Sequence, residues 1–202
     1  MTNNWQPPAE KVQAVAPAGN HVGRCIQIID LGSHDLTWEG ITKEVRSIRI
    51  TWELPTELYT FKDENGPEPF IVSGKYSLSF GPKATLKKLI DSWEGKKITG
   101  EEIQSMKWKL PDLLGKPCLV SVAHNPGKDG KMYANVQTVT PLPKGMDCPA
   151  QINPSVFFFM GWTPTADDLD EKMFADLPDF IKKQIADSPE FILCRELKAK
   201  QV

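Results

Sequence analysis

Residues 45–54 alternate along an extended chain, with Ile48, Ile50, Trp52 and Leu54 on one face and Ser47, Arg49, Thr51 and Glu53 on the other. Residues 70–80 repeat the pattern, setting Tyr76, Leu78 and Phe80 against Lys75, Ser77 and Ser79. Upstream, residues 21–31 alternate through Arg24, Ile26 and Ile28 and then slip phase near Ile29. A slip in a long first strand predicts a bulge that lets it bend and serve two sheets. Downstream, an apolar run from Pro117 to Ala123 and an alternating run from Met132 to Val139 flank Asn125-Pro126-Gly127-Lys128-Asp129-Gly130. Two β-rich runs around such a turn predict a hairpin.

The period changes after Gly81-Pro82. Leu86, Leu89, Ile90 and Trp93 fall at i, i+3, i+4 and i+7, which predicts an amphipathic helix that stops at Gly95. Thr99 and Glu102 have the capping-box spacing and predict a short helical turn running to Met106. Residues 32–44 read as a long polar loop carrying Trp38. Residues 55–69 read as a second loop, turning at Asp63-Glu64-Asn65-Gly66-Pro67.

Three strands, one helix and two strands predict a mainly β fold. The expected architecture is a five-stranded Greek-key barrel of the oligonucleotide/oligosaccharide-binding (OB) type, with the helix between strands three and four. Residues 1–20, with Pro7, Pro8, Pro17 and Gly19, read as a flexible or loosely docked N-terminal arm, residues 21–142 as the barrel domain, and residues 143–202 as an irregular and helical C-terminal extension. Within the extension the apolar run Val156-Phe157-Phe158-Phe159-Met160 must be covered by the barrel or by a partner. The acidic stretch from Asp167 to Asp187 has room for a helix near Pro178–Ala186, with Pro178 in the first turn.

Charge sharpens this picture because it is uneven. The net charge is −2, yet residues 70–131 hold eleven Lys/Arg against six Asp/Glu. Residues 30–68 hold four against nine, and residues 161–202 six against nine. A basic middle between acidic segments suits local binding of a polyanion. Cys25, Cys118, Cys148 and Cys194 form no CxxC pair and read as reduced and structural. The first residues lack a signal-peptide pattern and no apolar run approaches a membrane span, so a cytoplasmic protein, or host cytoplasm if phage-encoded, is expected.

Enzymatic constellations are missing from the sequence. The histidines His21, His34 and His124 are scattered, and GxSxG, HExxH and a phosphate-cradling glycine loop do not occur. The cluster of Asp167, Asp168, Asp170 and Glu171 reads as a solvated acidic face, not an EF-hand. No cofactor or metal is expected. Binding of a single strand requires cations along its backbone and aromatic faces for its bases. Arg46 and Arg49 on strand two, Lys75 on strand three, Lys83 and Lys87 around the helix, and Lys128 and Lys131 in the 4–5 loop supply the cations. Tyr133 beside that loop is the favoured stacking ring. Tyr76 reads equally as core or as a stacking face, and Trp38 and Trp108 are further candidates. Trp52, Phe80 and Trp93 read as core, and His124 as structural.

Five stretches, HVGRCIQIIDLGSH, VRSIRITWELP, GKYSLSFGPKATLKKLIDSWEGKKIT, LLGKPCLVSVAHN and YANVQTVTPLPKGM, resemble a family of bacteriophage and prophage replication proteins of OB type that bind single-stranded DNA. The resemblance runs from about Val22 to Met146, and LLGKPC and LIDSWEGK are its most distinctive parts. It implies a protein that coats single-stranded DNA in phage replication or recombination, and it assigns no residue roles. The acidic C-terminal segment, with Phe174 and Phe180, would then meet replication or recombination proteins. The terminal residues 197–202 carry Lys198 and Lys200 and so depart from an acidic-aromatic tip. The alternative is a non-enzymatic interaction module of OB type, docking on a replication or virion protein through Val156–Met160 and the acidic segment.

Overall fold

The computed structural model describes residues 14–201 and is mainly β. Strands β1 (Gly19–Trp38), β2 (Ile41–Tyr59) and β3 (Glu68–Ser77) form an antiparallel meander; β4 (Pro117–Pro126) and β5 (Met132–Thr140) form a hairpin on the other side of β1. The path across the sheet is β3-β2-β1-β4-β5, and β6 (Val156–Phe158) joins β1 in parallel at Gln27–Ile29. β1 makes this possible by bending. Its first residues, Gly19 to Arg24, pair with β4, and from Arg24 onward it pairs with β2, with register shifts between Cys25 and Gln27 and between Asp30 and Gly32. The phase slip near Ile29 is therefore a pair of irregularities on either side of it, and one strand serves two sheets.

Three expectations need correction. First, the sheet is open, not a closed barrel: among the described residues no ladder joins β3 to β5. Residues 14–16 line the seam between those strands together with Phe70, Val72, Met132 and Ala134. Ala16 is buried there, and its carbonyl accepts from His124 Nε2 at 2.8 Å. The near end of the expected arm is thus docked; residues 1–13 lie outside the described residues. Second, residues 32–44 are a strand pair, not a loop. Leu36 pairs with Lys43, Thr37 with Thr42 and Trp38 with Ile41. Glu39 (φ 50°) and Gly40 (φ 78°) close the ribbon, with the two positive φ values that a type I′ turn demands. Third, β2 continues past Pro55 to Tyr59, through a register shift between Leu54 and Leu58.

Helix α1 (Thr85–Glu94) packs on one face of the sheet. Its Leu86, Leu89, Ile90 and Trp93 pack on Ile48, Ile50, Trp52, Leu54, Val120 and Val139. Gly95, in the left-handed region at φ 66°, ends it. The capping box forms as the spacing predicts: Thr99 Oγ1 accepts from Glu102 N, Glu102 accepts from Thr99 N, and α2 (Gly100–Gln104) follows.

The C-terminal extension builds a second core on the opposite face of β1. After β6 come α3 (Glu171–Asp176), α4 (Asp179–Ala186) and α5 (Pro189–Ala199). Ile29 and Leu31 pack there against Phe158, Met160, Leu169, Ile181, Ile185 and Phe191. The apolar run is therefore largely covered by its own chain, with Phe158 and Met160 buried. Two polar clamps pin the lobe. Glu53, fully buried, accepts from the backbone N–H groups of Ile152 and Asn153 at 2.8 Å and from Asn153 Nδ2 at 2.6 Å. Its neighbour Arg24 donates to the carbonyls of Gly115, Cys148 and Pro149. In the second clamp Asp30, also fully buried, pairs with Arg46 and accepts from the N–H groups of Gly32 and Met160. Arg46 also donates to Gly161 O at 2.6 Å, and Glu190 of α5 accepts from Ser33 N and Oγ at 2.8 and 2.6 Å. Among the described residues no helix is long and apolar enough to cross a membrane.

Candidate nucleic-acid interface

The outer face of β2 and β3 follows from the strand alternation. The facing pairs are Ser47–Ser77, Arg49–Lys75, Thr51–Ser73 and Glu53–Ile71. Glu53 is withdrawn into its clamp, and Thr51 Oγ1 and Ser73 Oγ bond each other at 3.0 Å. Arg49 and Lys75 remain as two cations directly opposite each other. Like charges in that position destabilise a sheet, and among the described residues neither has a carboxylate within ion-pair distance. Arg49 is half-buried, with its guanidinium 5.5 Å from the centre of the Phe180 ring, and burial lowers its pKa from the ordinary value.

Arg49 also lines a groove of about 560 Å³ where the sheet is open. Ile71 and Ser73 of β3 form one wall, Met132, Tyr133 and Asn135 of β5 the other, and Phe61 closes one side. Phe61 belongs to an aromatic cluster with Tyr59 and Phe70, at ring separations of 5.1 and 5.2 Å. Tyr133 is 46% exposed and held in place. Its hydroxyl donates to Asp129 Oδ2 at 2.8 Å, and Asp129 Oδ1 accepts from Lys131 N at 3.2 Å. Its ring lies close against Gly127, where a Cβ would come within 2.3 Å of Tyr133 Cε2. The Tyr133 hydroxyl holds the Asp129 carboxyl below the usual carboxylate range, and the same bond pushes the phenol up. Lys128 and Lys131 stand exposed in this loop, also without a carboxylate partner among the described residues.

The nine residues picked out by sequence therefore divide. Arg49 and Tyr133 line the groove at the open seam, Lys75 faces Arg49 from β3, and Lys128 and Lys131 lie on the loop next to Tyr133. Lys83 lies beyond the end of β3, in a separate shallow depression with Ser77, Ser79 and Thr85. Three are used by the fold. Arg46 is spent on Asp30, Gly161 and, at 5.1 Å, the face of Phe159. Tyr76 is 9% exposed and edge-on to Trp52, and burial raises its pKa to about 12. Lys87 is bonded at 2.5 Å to Asp91, whose Oδ1 also accepts Ile98 N. Trp108 is likewise buried, with its indole N–H on Glu94 at 3.2 Å. By alternation Arg46 has the parity of Ile48 and lies opposite to Arg49, and there Asp30 and the later chain at Phe159 and Gly161 take it up.

The groove also uses Phe61, Ile71, Met132 and Asn135, which sequence reasoning passed over. The alternation of Leu58, Thr60 and Lys62 with Tyr59 and Phe61 was the available signal, hidden inside a turn-rich stretch. Among the described residues no three His, Cys, Asp or Glu side chains are placed to hold a metal. The histidines are engaged with Pro17 O and Glu57 (His21), Leu31 O (His34) and Ala16 O (His124). Compared with models of known families, with curated proteins and with solved structures, the chain matches none.

Proposed function

We propose that this protein binds single-stranded DNA without sequence preference and without catalysis, on an OB-type scaffold. Support for the scaffold is its connectivity: a bent first strand shared by two sheets, the path β3-β2-β1-β4-β5, and a helix between β3 and β4. This path supports an OB-type reading in which the barrel is left open at the β3–β5 seam. The observation that carries the function is the unpaired Arg49–Lys75 couple beside a groove walled by Tyr133 and Phe61. Phosphates neutralise the couple and relieve its repulsion, while bases stack on the exposed rings, each worth about 1–3 kcal/mol. The lysines of the 4–5 loop extend the cationic track. The resemblance of the sequence to phage replication proteins is in keeping with this reading, and phage DNA replication or recombination is the setting proposed for it.

The test is fluorescence anisotropy of a labelled oligo-dT strand across a salt series. Affinity should fall steeply, with the logarithm of the binding constant linear in the logarithm of salt. Failure to bind at low salt would refute the reading.

A further inference from the structure

The ribbon at the ends of β1 and β2 has no role in the proposed interface. Residues 35–44 are exposed on both faces, so the ribbon stands free of the body. Leu36, Trp38 and Ile41 share one face, because Trp38 sits opposite Ile41 and Leu36 is two residues back. Trp38 is 74% exposed, the most exposed large apolar side chain among the described residues. The tip is acidic, with Asp35, Glu39 and Glu44 against Lys43. That charge repels phosphate and argues against a second nucleic-acid contact.

At the base of the ribbon lies a cavity of about 280 Å³ with aromatic walls: Phe80, Trp108, Phe159 and Trp162, with Met106 at the edge. Its size is near the lower end of small-ligand pockets, which begin at roughly 300 Å³. It therefore suits a single large ring. Among the described residues Lys109 is the one charged residue that lines it, and Lys107 stands exposed next to Trp108. The cavity thus offers an apolar socket with cations at its rim, and the ribbon tip offers an indole surrounded by carboxylates.

We propose that Trp38 of one copy enters this socket on a second copy, and that the contact repeats head to tail. The tip cannot reach its own socket. Arg46, which packs on Phe159 of the socket, faces Ser33 at the ribbon base, five residue pairs from the Trp38–Ile41 end. At about 3.3 Å per residue the tip stands about 16 Å away. Tip and socket are different surfaces, so the contact is heterologous and grows into a chain unless its rotation closes a ring. A protein that tracks a strand gains from this, because neighbouring copies on one strand then contact each other.

Sedimentation velocity on the full chain without nucleic acid tests the proposal, over a concentration series. Wild type should associate progressively. Trp38→Ala should weaken association about tenfold or more, as loss of a buried aromatic anchor does, and so should Met106→Glu or Trp162→Ala in the socket. An equimolar mixture of Trp38→Ala and Met106→Glu retains one intact tip and one intact socket, and should give a 1:1 dimer that does not grow. Circular dichroism confirms that each variant is folded. A wild type that stays monomeric throughout, a mixture that stays monomeric, or a Trp38→Ala protein that associates like wild type overturns the proposal. So does a Trp38→Ala variant whose only defect is in oligo-dT binding, which would assign the tip to the nucleic acid. None of these measurements depends on the nucleic-acid reading, so either can fail alone.

Discussion

The outer face of β1 and β2 under the C-terminal lobe and the open seam between β3 and β5 treat charge in opposite ways. Under the lobe, Arg24 and Glu53 hold the 148–153 segment, and Asp30, Arg46 and Glu190 hold Met160, Gly161 and Ser33. These groups are buried or nearly so and are fully bonded, as desolvated charges must be. At the seam Arg49, Lys75, Lys128 and Lys131 have no carboxylate partner among the described residues. Water solvates the three lysines, whose lack of partners costs little, whereas Arg49 is half-buried against Phe180 with no carboxylate to offset its desolvation, until a polyanion arrives. The difference separates cations that the fold consumes from cations left for a ligand, although Arg46 and Arg49 are three residues apart on one strand.

The comparison breaks first on stability. Replacing Arg46 by Met leaves Asp30 buried and unpaired, and loss of one partner of a buried pair costs about 3–5 kcal/mol. Urea unfolding should show that loss, while oligo-dT affinity of the folded variant stays close to wild type. A large drop in affinity with stability intact would return Arg46 to the interface and erase the contrast between the two regions.

The reverse pattern belongs to the loop. Reversing both Lys128 and Lys131 to Glu should weaken oligo-dT binding about a hundredfold at moderate salt, and should reduce the salt slope by about 2 or more, since each lost phosphate contact removes about one unit. The thermal midpoint should hold, because neither lysine has a structural partner among the described residues. Unchanged affinity would move the track away from the 4–5 loop.

The two tyrosines sharpen the contrast further. Tyr133→Ala should reduce affinity by about 1–3 kcal/mol, the worth of one stacked base. Tyr76→Phe should leave binding unaltered, since its ring lies in the core against Trp52. Equal losses from both would mean that the core ring reaches the ligand.

Much of the scaffold was legible where one physical rule acted locally. Ile48, Ile50, Trp52 and Leu54 point inward because a strand alternates, and all four have no exposed surface. The Thr99 capping box and the α1 stripe depend on neighbours within one turn. The ribbon at residues 35–44 was illegible because it is polar or exposed on both faces, and its Glu39-Gly40 turn lacks the Asn or Asp that usually marks a type I′ hairpin. Helix α5 was also missed, although Ser188 caps it and Pro189 begins it. Non-local pairing decided the site. Arg46 and Tyr76 were lost to the lobe and the core, and Phe61 entered the groove from a segment with no clear period.

The smallest predicted effect tests whether the seam is prepared before the ligand arrives. Gly127 leaves room for the Tyr133 ring, and any Cβ there would overlap it. Gly127→Ala must therefore push the ring aside and strain its bond to Asp129. The bond has a charged acceptor but stands at an exposed site, and straining it without removing it should cost about 1 kcal/mol, so oligo-dT affinity should fall only several-fold. Stability should barely change, because the loop is exposed and contributes nothing to either core. Asp129→Asn should act in the same direction and more weakly, since an amide oxygen still accepts from the Tyr133 hydroxyl. If Gly127→Ala binds as well as wild type while Tyr133→Ala does not, the ring finds its stacking position only on the bound strand. The seam would then be shaped by its ligand, and the lobe-covered face alone would be fixed by the fold.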